Sequence, residues 1–332
     1  MPDLRKGHQG HQVARRERRA AHLKTSRRHR MKQNETEVLG FIGLGVMGGP
    51  MCANLLKKAG RKVVAHDTVQ AAAGEAAAHG AELAAGVAQV AEKSDIVFLS
   101  LPSIDQVESV CQAILASPRR PSLIVDMSTS NVSRTRALAE QLAAAGIAFV
   151  DAPVARTKQA AVDGKLFISV GGSQQDFERV APYLNCMGSD VLHCGETGSG
   201  QIVKILNNYM VFMTVNALSE AITIGRQAGM DAEKLLALLS QGSADSFVLR
   251  NHGMKSLAKD DFPEKTFPMT YAIKDCALAL DLAREGGFSP RIGAYTHDMM
   301  CRARDAGYAQ NYHPAVIRLI DGRVKADLPG QV

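Results

Sequence analysis

An apolar run, Val38-Leu39-Gly40-Phe41-Ile42, stops at a glycine, and two more glycines follow at the spacing G-x-G-x-x-G: Gly43-Leu44-Gly45-Val46-Met47-Gly48. A small-residue helix pattern then runs from Met51 to Leu56 and stops at Gly60. A second apolar run from Lys62 to His66 ends at Asp67. Strand, glycine turn, helix, strand and acid come in the order that a dinucleotide site needs. Gly43 permits the tight turn, Gly45 lets the backbone approach a pyrophosphate without a Cβ in the way, and Gly48 lets the helix pack close to the strand. With Val46 and Met47 between them, they present the unpaired N–H groups and positive dipole end of a helix to the phosphates. Asp67 is placed to accept hydrogen bonds from ribose hydroxyls. Its charge would repel a 2′-phosphate, and Thr68 and Val69 follow it rather than an arginine. The cofactor expected is therefore NAD rather than NADP.

The alternation continues. Apolar runs at 95–102, 122–129, 147–151, 166–170 and 190–193 are mostly separated by helical patterns, for example 107–116, 134–145 and 177–184. Near-continuous apolar strands alternating with helices predict a parallel sheet covered on both faces, with the last, closely connected strands mixed in direction. From Gly198 onward the alternation ceases, and helices fit 201–227, 232–239, 272–285 and 293–306. The expected fold is α/β. A Rossmann domain with a doubly wound, mostly parallel sheet spans 37–197, and an all-α domain for substrate and oligomer contacts spans 198–330.

Charge divides the chain differently. The net charge is +6, yet residues 1–30 hold ten basic and two acidic residues, and the other 29 basic and 31 acidic residues leave −2. Residues 1–36 read as a disordered basic extension. It fits a nucleic-acid arm, a targeting segment, or an upstream stretch before a true start at Met31. Nothing in the body calls for nucleic acid. Six scattered cysteines without metal-like spacing suit free thiols in a reducing cytoplasm. No metal site and no membrane span is expected.

The pattern from Gln201 to Phe212 is apolar nearly all round, so that helix belongs in an interior or between domains. Gln201, Lys204 and Asn208 nevertheless share one face. A buried ammonium carries a desolvation cost unless something pairs it. Lys204 is either salt-bridged or snorkelling, or it stands in a cleft as a general acid/base with its pKa lowered by desolvation. In that second reading Asn208, one turn on, holds the substrate in line.

Together these motifs resemble the β-hydroxyacid dehydrogenase family, which includes 3-hydroxyisobutyrate dehydrogenases and tartronate semialdehyde reductases. The resemblance runs from about Val38 to Leu319. It rests on Gly40 to Gly48, on Asp151-Ala152-Pro153-Val154, on Gly198 to Asn208, and on Lys274-Asp275. It implies that Lys204 is the catalytic lysine, that Lys274 lies against cofactor and substrate, and that Leu101, Pro102 and Thr129 contact the nicotinamide side. Thr129 is equally suited to be only a helix cap. After Asp-Ala-Pro-Val the family continues Ser-Gly-Gly, where this chain has Ala155-Arg156-Thr157. An Arg-Thr pair there resembles the sulfolactaldehyde reductase subgroup and implies a pocket for a strong anion, with Arg156 either gripping it or folded back onto the surface. Tyr312 stands where many members have aspartate, so no role is carried over to it. The implied activity is reversible hydride transfer between NAD and a short, anionic 3-hydroxy acid or its semialdehyde, by a homodimer or homotetramer. An imine reductase on the same scaffold is the alternative within enzymes, although such members usually replace the lysine. A non-catalytic NAD-binding protein with a nucleic-acid-binding arm is the alternative outside them.

Overall fold

A computed structural model describes residues 37–264 and 266–324. The basic extension and the start at Met31 lie outside the described residues. Within them, nine strands join in one sheet in the order β3-β2-β1-β4-β5-β6-β8-β7, with β9 paired to β8. The strands β1 (Leu39–Ile42), β2 (Val63–His66), β3 (Glu82–Leu83), β4 (Ile96–Leu99), β5 (Leu123–Asp126) and β6 (Ala148–Asp151) are all parallel. Their order is that of two βαβαβ halves meeting between β1 and β4. Direction changes after β6, as the short connections suggest. β8 (Leu166–Gly171) runs antiparallel to β6 and to the two-residue β7 (Val154–Ala155), and parallel to β9 (Gly188–Gly195).

Strand side chains alternate between two cores. Phe41, Phe98 and Val125 pack on one face with Met51 and Leu55 of α1 (Gly48–Lys58). Ile42, Val97, Leu99 and Ile124 pack on the other with Val107 and Ile114 of α4 (Ile104–Leu115), and with Leu138 and Leu142 of α5 (Val132–Ala144). Between β2 and β4 run α2 (Gln70–Ala78), formed by an alanine-rich stretch at 71–78, and α3 (Val87–Lys93). The register sets His66, Ile42, Leu99, Asp126 and Asp151 side by side along the carboxyl edge of the sheet. Ligands of such sheets bind beyond that edge.

Two helices flank the last strands, α6 (Lys158–Val162) and α7 (Gln174–Leu184). Then α8 (Ser199–Gln227) begins, 29 residues and roughly 44 Å long at 1.5 Å per residue. Its Phe212, Val215, Leu218 and Ile222 nucleate a second core against α10 (Met269–Glu285) and α11 (Arg291–Ala303), which contribute Met269, Cys276, Met299 and Met300. Between α8 and α10 come α9 (Ala232–Leu239) and a π-helical segment, Leu249–Leu257. A 3₁₀ turn, His313–Val316, leads into α12 (Ile317–Ile320). Two isolated bridges, Glu264↔Asn311 and Pro268↔Tyr312, interrupt this otherwise helical half. No described helix is long and apolar enough to cross a membrane.

Candidate active site

One cavity of about 1570 Å³ opens beyond the carboxyl edge of the sheet, against α8. Its wall takes in Gly43, Gly45, Val46, Met47 and Gly48, then Asp67, Leu101 and Pro102, then Ala155, Arg156 and Thr157, and finally Lys204 and Asn208. Residues spread over the first two-thirds of the chain thus share one cleft.

The glycine turn has the shape its spacing implies. Gly43 has φ +94°, a left-handed conformation that disfavours any Cβ. A Cβ at Gly48 would collide with the carbonyl oxygen of Gly43, so only glycine lets α1 start this close to β1. In front of Gly45 there is nothing within 4 Å of where a Cβ would stand. An open glycine backbone at the start of α1 is the cradle a pyrophosphate needs, and these residues fit a dinucleotide. Asp67 Oδ2 accepts from the Leu44 N–H at 2.5 Å and Oδ1 from the Val69 N–H at 2.7 Å, which ties the end of β2 to the glycine turn. Ser128 Oγ accepts from the Leu101 N–H at 2.9 Å and fixes that loop to the next.

The long helix is anchored to this edge by its first turn. Asp151, fully buried, accepts from the N–H groups of Gly198 (2.7 Å) and Gln201 (2.8 Å). A carboxylate suits the positive end of a helix. The Gln201 amide donates to the Ser128 carbonyl (2.8 Å) and accepts from the Ser130 N–H (2.9 Å), so it is satisfied by the loop after β5. Asp126 shapes that loop by accepting from the Ser128 N–H (2.9 Å) and the Ser130 hydroxyl (3.1 Å); burial pushes its pKa up to about 6.

Lys204 follows one turn later, 9% exposed. Its Nζ donates to Asn208 Oδ1 at 3.2 Å, and Asn208 Nδ2 donates to Asp275 Oδ2 at 2.7 Å. No carboxylate pairs directly with Lys204 among the described residues, so the nearest negative charge is relayed through an amide. Desolvation lowers the pKa of Lys204; Asp275 opposes this and Lys274 adds to it.

Two expectations need correction, the cap at Thr129 and the anion grip of Arg156. Thr129 and Lys274 are not among the residues that line the cavity, though the charge of Lys274 reaches Lys204, and their contact with a bound cofactor and substrate stays a proposal. Lys274 Nζ lies 2.9 Å from Asp275 Oδ1 and donates to the Thr129 carbonyl at 3.4 Å, so the two residues meet each other and brace α10 against the loop after β5. Nor is Thr129 a cap, because Asn131 caps α5 by accepting from the Arg134 N–H. Arg156 lines the cleft, but its guanidinium is not free to grip an anion. It is ion-paired to Asp190 at 2.7 Å and donates to Ser189 Oγ and the Lys165 carbonyl, both at 2.8 Å. The arginine is the folded-back one. Its backbone keeps φ +87°, the conformation of a glycine. Thr157 Oγ1 caps the short α6 by accepting from the Ala160 N–H.

A family profile described as the NAD binding domain of 6-phosphogluconate dehydrogenase matches residues 38–195. A second, described as NAD-binding of NADP-dependent 3-hydroxyisobutyrate dehydrogenase, matches 198–320. The chain is 35% identical over 284 residues to 2-(hydroxymethyl)glutarate dehydrogenase of Eubacterium barkeri, covering 85% of this chain and 94% of that one. It belongs to the 3-hydroxyisobutyrate dehydrogenase-like family of β-hydroxyacid dehydrogenases. To 2-hydroxy-3-oxopropionate reductase of Escherichia coli (strain K12) this dehydrogenase is 32% identical over 286 residues, covering 85% and 97%. Its structure matches Mycobacterium tuberculosis 3-hydroxyisobutyrate dehydrogenase with a TM-score of 0.80 at 29% identity, over 86% of this chain and 99% of the other. The protein is an oxidoreductase with an NAD(P)-binding domain.

This member of the family also carries groups in or beside its cleft that sequence reasoning did not assign. Asp275 was visible only as half of a Lys-Asp pair, while in the fold it is the carboxylate behind Asn208. His252, Tyr312 and His313 line the far end of the cleft. The adjacency of Tyr312 and His313 was the one available signal; His252 reaches them only through the tertiary fold.

Proposed function

We propose that this dehydrogenase oxidises a short 3-hydroxy acid with NAD and reduces the matching semialdehyde in reverse, with Lys204 as general base and acid. The carrying observation is the lysine itself: an ammonium 9% exposed on a cleft wall, with an amide as its hydrogen-bond partner and a pKa lowered by burial. Gly43, Gly45 and Gly48 would hold the pyrophosphate and Asp67 the ribose, with Leu101 and Pro102 beside the nicotinamide. Asp67 and the absence of an arginine after it support NAD over NADP. The bound nicotinamide supplies the hydride acceptor. Neutral Lys204 Nζ takes the substrate hydroxyl proton as the carbon–hydrogen bond is lost, and the carbonyl forms. In reverse the ammonium returns that proton to the oxygen. Asn208, held by Asp275, keeps Nζ in place and offers a second hydrogen bond to the substrate. Backbone groups of Ala155, Arg156 and Thr157 are proposed to receive the carboxylate, a role in which the glycine-like φ of Arg156 matters and its side chain does not. The presence of Lys204 disfavours the imine reductase alternative.

The experiment is Lys204→Ala, assayed for NAD reduction over a panel of 3-hydroxy acids. We expect kcat to fall by about 10²–10⁴-fold, the usual contribution of a general base. NADH binding, read by fluorescence, should stay within a few-fold, and wild type should prefer NAD to NADP. Retained turnover would sink the role given to Lys204.

A further inference from the structure

Around His313 the cleft changes character. Among the described residues of its wall from 209 onward, none is charged. The surface there is built from rings, with Phe212, Phe267, Tyr312, His252 and His313 in mutual contact. The His313 ring stands 5.2 Å from Phe212, 5.7 Å from Phe267 and 5.0 Å from Tyr312, edge-on to each, and 5.4 Å from His252. His313 is 2% exposed, and its Nδ1 finds no hydrogen-bond partner among the described residues. A buried ring nitrogen left unpaired next to a cavity is a place for a ligand atom.

The Tyr312 hydroxyl and His252 Nδ1 are 2.6 Å apart. Burial pushes His252 down to about 4 and Tyr312 up to about 12, so at neutral pH the couple holds no charge. Its arithmetic is simple. If the phenol donates to Nδ1, the imidazole keeps one N–H to offer and the phenol oxygen can accept. If Nδ1 donates, the phenol offers its O–H and Nε2 accepts. Either way the couple presents one donor and one acceptor. An anion seated here would lose its water with no counter-charge to replace it. Arg156 supplies none, being paired to Asp190. The cationic side chains of the wall are Arg156, Lys158 and Lys204, and none of them contributes to the shifts of His252 and Tyr312, which burial alone produces.

We infer that the substrate carries a single carboxylate and, on the carbon between that carboxylate and the hydroxymethyl group, an uncharged planar substituent that seats on the His252–Tyr312 couple and the His313 ring. This rests on the proposed 3-hydroxy acid activity and narrows it. The substrate class excludes dianions, including the compound for which the Eubacterium barkeri relative is named.

The test compares kcat/KM of the full-length wild type for four alcohols with NAD. They are 3-hydroxy-2-phenylpropanoate, its 4-hydroxyphenyl analogue, 3-hydroxy-2-methylpropanoate and 2-(hydroxymethyl)glutarate. Both aryl acids should exceed the dianion at least tenfold and should not fall below the methyl compound. Tyr312→Phe should raise KM for the hydroxyphenyl acid several-fold more than it raises KM for the phenyl acid. A preference for the dianion, or for the methyl compound by tenfold, would overturn the inference while the 3-hydroxy acid activity stood. Unchanged KM for the hydroxyphenyl acid in Tyr312→Phe would remove the couple from recognition. Oxidation of none of the four by protein that still binds NADH would overturn the activity and the inference together.

Discussion

Lys204 is held in a state that water would not choose for it. An ammonium in a nearly dry helix is stabilised here by one amide and by a carboxylate one residue further away, with Lys274 opposing. That arrangement makes the two flanking charges opposite controls on one proton. The oxidation limb of the pH profile rises as Lys204 loses its proton, at a pH below the 10.5 of an ordinary lysine. Asp275→Asn removes a charge that favours the ammonium, so the limb should move to lower pH; Lys274→Met removes one that disfavours it, so the limb should move to higher pH. Profiles of kcat/KM for the two variants, shifted in opposite directions, check this, and shifts of the same sign would refute it. Lys204 was legible in the sequence because a polar stripe on an otherwise apolar helix demands a reason. The fate of Arg156 was not, because its partners Ser189 and Asp190 arrive on β9 through tertiary pairing. Two bonds to that strand and one to the Lys165 carbonyl hold the guanidinium away from the pocket. A left-handed φ on a non-glycine residue, costing about 1–2 kcal/mol, is a feature that no residue pattern announces.

At the level of elements, periodicity carried most of the information. The parallel strands other than the two-residue β3, together with α4, α5, α7 and α8, lie where apolar period and glycine stops put them, within a few residues at their ends. Cap chemistry explains most of those offsets, since Ser103, Asn131 and Ser173 start their helices two or three residues ahead of the first periodic position. The π-helical segment Leu249–Leu257 was not legible. It is polar, holds Gly253, and stays in place through Leu249 and Leu257, which are fully buried at its two ends. The start of α8 was legible as a boundary but not as a joint. There a Cβ on Gly200 would stand 2.5 Å from the Ser169 carbonyl oxygen and 2.8 Å from an Asp151 carboxylate oxygen. Gly200→Ala should therefore cost about 2–3 kcal/mol in urea-unfolding measurements, the upper part of the range for overpacking an interior. A substitution within 0.5 kcal/mol of wild type would mean that the joint is looser than drawn.

For the molecule as a whole, the distribution of apolar surface bears on assembly. Leu206 (44% exposed), Met210 (59%), Phe288 (66%) and Ile292 (70%) lie on the helical half, where a monomer gains nothing by showing them. We propose that they are covered by a second copy of the chain. Light scattering should then report a dimer or tetramer, and Met210→Glu with Ile292→Glu should shift it toward monomer; a monomeric wild type would contradict this. The corner where Asp151 and Gln201 meet the first turn of α8 has a different consequence. Together with the Ser169 hydroxyl on the Gly200 carbonyl (2.9 Å), five hydrogen bonds bind two strand ends, one loop and one helix there. It is a pivot without play. Lys204 stands on the second turn of that helix, so the sheet edge that would carry the dinucleotide also sets where the proton carrier stands.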